Sequence, residues 1–256
     1  YIPIIIFLII SFLIYCYWRR YGKDPKGKGM IIPIYEVPGN LKPAEMGLLI
    51  DEQAHLHDIT ATIIDLAIRG YFKIKKKKLK KVFLGNKASY TFVKLKSASG
   101  LSGYERKVYN GIFKNNVRSV SMSTLQAKFY RNLKDIKSLL YKRVVDLSLF
   151  TDNPEKVRNQ SCVIACLPAF LIFFLVVFLA NFVDSPYYLI LLLLPIQLFI
   201  MTLFLPKKTR KGVLYYEKVL GYKMFLDATE KDRLKALYGP EQYKGVFEKH
   251  LPYAIA

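Results

Sequence analysis

The sequence predicts a mainly α membrane protein: three transmembrane helices, a cytoplasmic α+β module of two winged-helix-like units in tandem, and a helical C-terminal tail. The membrane class follows from two apolar runs, residues 162–182 and 186–205, which contain no Lys, Arg, Asp or Glu. Each run is long enough to cross the hydrocarbon core of a bilayer, roughly 30 Å, as a helix. Helical and strand-like apolar patterns between residues 43 and 161 predict the module.

Another apolar run, residues 1–18, carries no charge and is followed by Arg19 and Arg20. A signal peptide has its basic residues before the apolar core, so the reversed order favours a transmembrane helix. We expect further sequence upstream of Tyr1, on the outer side of the membrane.

The distribution of charge predicts the orientation. All 40 Lys and Arg residues lie in residues 19–161 and 206–256, whereas Asp184 is the one charged residue between Cys162 and Leu205. The positive-inside rule therefore places both long segments in the cytoplasm and the turn near Asp184 outside. Aromatic and basic residues at the helix ends are the predicted juxtamembrane anchors: Trp18, Arg19, Arg20, Lys207, Lys208, Arg210 and Lys211.

A linker, residues 19–42, precedes the first winged-helix-like unit, residues 43–96. Pro43 is placed to begin a short helix, and Asp58 and Gly70 are placed to cap a second one. The second helix is amphipathic, with an apolar face made of Ile59, Ile63, Leu66 and Ala67. Two alternating runs on either side of a Gly-Asn turn then predict a β-hairpin.

The second winged-helix-like unit, residues 97–161, has the order helix, strand, helix, helix. Its first helix has one apolar face, made of Tyr104, Val108, Ile112 and Phe113, and its last is a long amphipathic helix over residues 132–145. The tail, residues 206–256, contains at least two more amphipathic helical stretches.

The hairpin carries the candidate binding patch, a run of lysines: Lys73, Lys75, Lys76, Lys77, Lys78, Lys80 and Lys81. Anionic lipid of the inner leaflet is one partner for such a run, since each Lys near the surface contributes about 1 kcal/mol. The phosphates of a nucleic acid are the alternative. Lipid or a plain solvated surface is favoured, because a tethered domain has little access to a duplex and the run contains no Arg for bidentate base reading.

A small cluster of polar residues, His55 and His57 beside Asp51, Glu52 and Asp58, raises the question of a metal site. Two histidines two residues apart do not share a helical face, and no further ligand motif follows them. Asp58 is already explained as a helix cap, so we predict no metal site.

No other pattern predicts chemistry. Asp65 and Arg69 lie four residues apart on one helix, which is the spacing of an ion pair. The sequence has no Gly-rich phosphate loop, no Ser-His-Asp set and no nucleophile elbow, so we predict neither an enzyme nor a cofactor. Gln197 and Thr202 are the main polar groups of the third apolar run, and without an ionisable partner they do not suggest a transport path.

Several stretches together resemble the YciQ-like family of predicted bacterial and archaeal membrane proteins (domain of unknown function 2207). These stretches are residues 17–25, 31–35, 43–47, 58–71, 230–234 and 251–255. The resemblance implies an extracytoplasmic β-rich domain before Tyr1 and a multi-pass protein of the prokaryotic cell (inner) membrane. It implies no activity.

Two functions fit these features. The first is a scaffold or signal relay whose basic cytoplasmic module docks proteins or the anionic inner leaflet. The second is a membrane-tethered nucleic-acid-binding regulator that uses the lysine-rich wing. A nucleic-acid reader should expose a polar recognition helix beside the wing, whereas a scaffold should cover that helix. The sequence predicts neither the oligomeric state nor the identity of a protein partner.

Overall fold

Helices dominate the computed structural model, which describes residues 1–77, 89–114, 117–182, 186–228 and 240–256. The helices are α1 (Ile2–Tyr21), α2 (Pro43–Asp51), α3 (Leu56–Ile68), α4 (Gly103–Ile112), α5 (Met122–Phe129), α6 (Leu133–Asp146), α7 (Pro154–Leu179), α8 (Leu193–Leu203), α9 (Arg210–Ala228) and α10 (Pro240–Ile255), and the strands are β1 (Phe72–Lys77), β2 (Ser89–Lys94) and β3 (Ser119–Ser121). The chain divides into a membrane unit, residues 1–27 and 148–213, and an α+β module, residues 28–147 and 214–256.

The membrane unit contains three helices long and apolar enough to span a bilayer: Ile2–Tyr21, Pro154–Leu179 and Pro186–Leu203. The three predicted apolar runs are thus confirmed as candidate spans. Val176 of α7 and Leu194 of α8 are buried together, and side chains of α1 pack against them. Ser11 of α1 donates a hydrogen bond of 2.8 Å to Gln197 of α8, so these two polar side chains satisfy each other between the helices.

The third span differs from the single α-helix predicted for residues 186–205. It begins as a 3₁₀ segment, Pro186–Leu192, and becomes α-helical at Leu193. Pro195 explains the change, because proline has no backbone N–H and its ring clashes with the carbonyl four residues earlier in an α-helix. With α8 starting at Leu193, Pro195 falls in the first turn, where the N–H groups have no intrahelical partner.

In the α+β module the helix starts are fixed by local hydrogen bonds. Pro43 is the first residue of α2, as predicted. The start of α3 differs from the prediction: His55 is the N-cap, and Asp58 lies three residues later, where its Oδ2 accepts a hydrogen bond of 2.6 Å from the His55 backbone N–H. The helix therefore gains one turn at its start. Gly70 follows its end with a positive φ of 75°, as a C-terminal glycine should.

The sheet of the module is antiparallel, with strand order β1-β2-β3. The predicted hairpin strands are confirmed, and the Gly-Asn turn between them lies outside the described residues. One core cluster takes buried side chains from both predicted units, such as Leu66 and Phe72 from the first and Val108 and Ile136 from the second. Two separate winged-helix-like units are not confirmed, and the winged-helix assignment stays a prediction.

The predicted linker and tail both pack into this module. The backbone N–H groups of Lys28 and Gly29 donate to the Glu217 carboxylate at 3.0 and 2.8 Å. The Ile34 N–H donates to the Gly221 carbonyl of α9 at 3.2 Å. At the other end of the tail, α10 packs against α2 and α3, and the Tyr253 hydroxyl donates to the Leu41 carbonyl at 3.1 Å.

We predict that Gly221→Ala releases the linker from α9. A Cβ at this position would lie 2.1 Å from the Ile32 carbonyl oxygen, so the two backbones would have to separate, at a cost of about 1–3 kcal/mol. Hydrogen exchange of the amides in residues 28–36 should accelerate in the full-length variant. Gly103→Ala is the matched control, because its Cβ would meet the Leu139 Cδ2 at an ordinary 3.9 Å. Unchanged exchange in Gly221→Ala would contradict the packing described here.

Candidate functional site

The lysine-bearing hairpin has one face in the core and one face away from it. β1 and β2 pair in a register that places Lys73 opposite Val93 and Lys75 opposite Thr91. Phe72 is buried in the core, and side chains alternate along a strand, so Lys73 and Lys75 lie on the opposite face of the sheet. We call this the basic sheet face.

The predicted lysine run is described in part. The side chains of Lys73, Lys75 and Lys76 are exposed. In the part of the chain that the structure describes, none of these three lysines forms an ion pair. Four residues of the run lie wholly or partly outside the described part of the structure: the side chain of Lys77, and all of Lys78, Lys80 and Lys81.

Two other lysines near the hairpin are held by aromatic rings. The Lys94 ammonium lies 5.7 Å from the ring centroid of Tyr109, and the Lys96 ammonium lies 6.0 Å from that of Tyr71. These are cation–π distances, at which the ring face attracts the charge. Lys94 and Lys96 therefore contact aromatic rings of the module, whereas no such ring contact is found for Lys73 or Lys75 among the described residues.

The predicted juxtamembrane anchors fall into two groups: exposed residues, and residues that make contacts within the membrane unit, namely Trp18, Lys207 and Lys208. Arg19, Arg20, Arg210 and Lys211 are exposed, as an anchor must be. Lys208 differs, because its side chain is 5% exposed and its ammonium lies 3.6 Å from the Asp24 carboxylate.

The buried position of Lys208 has a local cause. Its backbone N–H donates to Asp24 at 2.7 Å, and its residue forms an antiparallel bridge with Phe150, whose ring lies 5.6 Å from the Lys208 ammonium. These contacts hold the charge inside the membrane unit. Trp18 also makes an internal contact, since its indole N–H donates to the Phe204 carbonyl at 3.1 Å.

Two arginines join the helices of the module through buried carboxylates. Arg69 at the end of α3 pairs with Asp65 at 2.9 Å and also with Glu105 of α4. Arg143 of α6 pairs with Glu45 of α2 at 3.1 Å. The Asp65–Arg69 pair is confirmed. The Arg69–Glu105 and Arg143–Glu45 pairs were not predicted, because the two residues of each pair lie far apart in sequence. The spacing of Ser102 and Glu105 is that of a capping box, which marks Glu105 as a residue near a helix start.

Burial and hydrogen bonding act in opposite directions on the pKa values of these carboxyl groups. Burial raises the pKa of Glu45 and of Asp65, against the hydrogen bonds that favour their charged forms. Burial acts the same way on Glu105, but hydrogen bonds from the Ser102 backbone and from Arg69 outweigh it and lower the pKa of Glu105. Tyr104, which is fully buried beside these groups, has a pKa well above its ordinary value because of burial.

The histidine cluster lies at the corner between α2 and α3. The Asp51 carboxylate is 3.9 Å from Nε2 of His55 and 3.8 Å from Nε2 of His57, and the two imidazole rings stack. Over the described ranges, no group of three or more His, Cys, Asp or Glu side chains is arranged to hold a metal ion. The predicted lack of a metal site stays a prediction.

Asp58 is the unusual member of this corner. Its Oδ1 is buried and has no hydrogen-bond partner among the described residues, and it lies 3.8 Å from Nε2 of His57. Burial raises the pKa of Asp58 to about 6, against the hydrogen bond from the His55 N–H. Gly47 permits this arrangement, because a Cβ there would lie 2.1 Å from Oδ1.

A cavity of about 460 Å³ lies beside this corner, between α2, α9 and α10. Its apolar lining includes Met46, and its ionisable lining includes Asp51, His57, Lys223 and Asp227. Acidic and basic side chains are both present, so the cavity does not favour a ligand of one charge.

We predict that the wild-type chain loses stability as the pH rises, because of Asp58, and that the Asp58→Asn variant does not show this loss. Because the folded-state pKa of about 6 lies above the ordinary 3.8, the fold favours the protonated carboxyl, and stability falls as the pH rises from about 4 through 6. The loss from this group is about 3 kcal/mol at pH 7. Asparagine retains the oxygen that accepts from His55, so thermal unfolding of the full chain in neutral detergent should become less dependent on pH.

Asp51→Asn is the control for this measurement, because it removes an exposed carboxylate from the same corner. We expect the control to retain the fall in stability as the pH rises from about 4 through 6. If Asp58→Asn shows the same fall, Asp58 does not carry a proton in the folded state at acidic pH.

Comparison with known proteins identifies the family but no individual relative. Residues 32–256 match the family described as predicted membrane protein (DUF2207) C-terminal domain. No curated protein and no solved structure gives a match. The matched region contains the α+β module from residue 32 onward and two of the three candidate membrane spans, and it supports the resemblance drawn from the sequence motifs. The chain belongs to the DUF2207 family of predicted membrane proteins.

Proposed function

We propose that this protein is a membrane-tethered scaffold or signal relay whose α+β module docks on anionic lipid of the cytoplasmic leaflet through the basic sheet face. The observation that carries the proposal is the exposure of Lys73 and Lys75 on that face, without an ion pair among the described residues. Lysines near an anionic leaflet are each attracted by about 1 kcal/mol. The tethering supplies the proximity that this attraction needs, since it acts within a Debye length.

The position of the protein in the cell is part of the proposal. The excess of Lys and Arg in residues 19–161 and 206–256 supports a cytoplasmic location for both segments, with the turn near Asp184 on the outer side of a prokaryotic cell membrane. We propose a binding role without catalysis, and a protein partner whose signal the docking controls.

The packing of α3 favours lipid docking over the nucleic-acid-binding alternative. A winged-helix reader of DNA inserts an exposed polar helix next to its wing. Here α3, which leads into β1, packs against α2, α4 and α10 and carries no Lys or Arg.

The proposal is tested with a reporter on the basic sheet face. A single cysteine at Thr91, in a chain with Cys16, Cys162 and Cys166 changed to Ser, takes an environment-sensitive fluorophore. The full chain is placed in nanodiscs of zwitterionic lipid, or of the same lipid with a third replaced by phosphatidylglycerol. We expect the anionic lipid to increase the emission, and added salt to reverse the increase.

Lys73→Gln with Lys75→Gln should weaken this docking by about thirtyfold, because two lysines contribute about 2 kcal/mol. Lys134→Gln with Lys142→Gln removes the same charge from exposed positions on α6 and is the control. Equal weakening by both pairs would mean that net charge alone acts. Micromolar or tighter binding of duplex DNA that the hairpin variant loses, without a response to lipid, would favour the regulator instead.

A further inference from the structure

We propose that a cavity beside β3 binds the phosphomonoester headgroup of an anionic lipid. This inference rests on the proposed docking at the cytoplasmic leaflet and names the lipid chemistry that the module selects. The cavity has a volume of about 520 Å³ and lies between the end of α4, β3, the start of α5 and the 3₁₀ turn Tyr130–Asn132.

The charge of the cavity is of one sign. Its described lining contains two cationic side chains, Lys114 and Arg131, and no carboxylate. Both side chains are exposed, and neither has a hydrogen bond or ion pair that the described residues supply. Lys107 on the same helix as Gly111 shows the contrast, because it pairs with Asp135 at 2.8 Å. Two cations on one cavity repel each other until an anion lies between them.

Hydrogen-bond donors accompany the cations. The hydroxyls of Ser119, Ser121 and Thr124 and the amide of Asn132 line the same cavity. The Ser121 hydroxyl lies 2.9 Å from that of Thr124 and accepts from the Thr124 backbone N–H at 3.3 Å, so these two side chains are held in place. Hydroxyl and amide donors together with two cations fit the terminal oxygens of a phosphate group.

The number of charges selects the phosphomonoester. A phosphate monoester carries between about −1.5 and −2 near neutral pH and presents three terminal oxygens. A phosphodiester such as phosphatidylglycerol carries a single charge. The two cations are therefore neutralised by one monoester headgroup, whereas a diester leaves one of them without a counter-charge.

The apolar lining favours a lipid over free phosphate. Val120 and Leu125 line the cavity. Leu125 belongs to the packed core of the module, and Val120 packs against that core. Val117 adds a partly exposed apolar side chain. Free phosphate has no carbon to place on these side chains, whereas the glycerol and the first acyl carbons of a lipid do.

The sheet joins this cavity to the basic sheet face. Thr91 of β2 is opposite Lys75 on one side and opposite Ser121 on the other. Val93 is likewise flanked by Lys73 and Ser119. Residues directly opposite share one face of a sheet, and strands are about 4.8 Å apart, so the β1 lysines start about 10 Å from the serines of the cavity. One lipid surface can therefore contact both the basic sheet face and the cavity.

The test measures binding of short-chain phosphatidic acid to the full chain in neutral detergent by calorimetry. Lys114→Gln with Arg131→Gln should weaken binding about tenfold or more, since charge-assisted hydrogen bonds to the phosphate are lost. Lys134→Gln with Lys142→Gln, which removes the same charge from α6, should bind like the wild type. Short-chain phosphatidylglycerol at twice the concentration should bind the wild type more weakly than phosphatidic acid does.

Several outcomes would overturn the inference. Unchanged binding in the Lys114→Gln and Arg131→Gln variant excludes this cavity, and equal binding of phosphatidylglycerol excludes selection of the monoester. Inorganic phosphate that binds as tightly as phosphatidic acid excludes a lipid site. If the cavity variant still docks on anionic nanodiscs through Lys73 and Lys75, the proposed docking stands and this inference alone fails.

Discussion

The burial of three carboxylates is the constraint on which the α+β module depends. Glu45, Asp65 and Glu105 are each less than a tenth exposed, and an unpaired charge in such a position costs several kcal/mol. Arg69 and Arg143 supply the compensation, and each arginine joins two helices in doing so. Such pairs add little to stability compared with apolar packing, but removing one partner would leave a buried charge, so they allow few alternative arrangements of α2, α3, α4 and α6.

The position of α3 then determines where the basic hairpin begins. Arg69 holds the end of α3 against α4, and Gly70 turns the chain directly into β1. Phe72, two residues later, enters the core and fixes which side of the strand faces inward. Lys73 and Lys75 face outward as a consequence, and β2 and β3 extend the same face to the serines of the cavity. A network of buried charges thereby positions the exposed ones.

Sequence patterns predict the features whose determinants are close together in the chain. The apolar spans, the Asp65–Arg69 pair and Gly70 depend on neighbours within one or two turns, and the two hairpin strands depend on alternation along each strand. These features are confirmed. The pairing of Arg143 with Glu45 joins residues 98 positions apart, and no periodicity reveals it. The same holds for the single core shared by residues predicted as two units. Aspartate is a residue type that fits the N-cap, yet Asp58 lies three residues into the helix, where its carboxylate accepts from the backbone N–H of the N-cap residue His55 instead.

The net charge of +21 comes from basic residues in different surroundings. Some are paired inside a unit, and others stay exposed. Arg69, Arg143 and Lys208 have acidic partners in the interior of their units, and each holds together segments that are distant in sequence. Such cations contribute nothing to an external field, because a neighbouring carboxylate cancels them. Among the described residues, Lys73 and Lys75 form no ion pair, and no carboxylate lines the cavity beside β3. The proposed docking on anionic lipid depends on this difference between cations that are paired in the interior and cations that stay exposed beside the sheet.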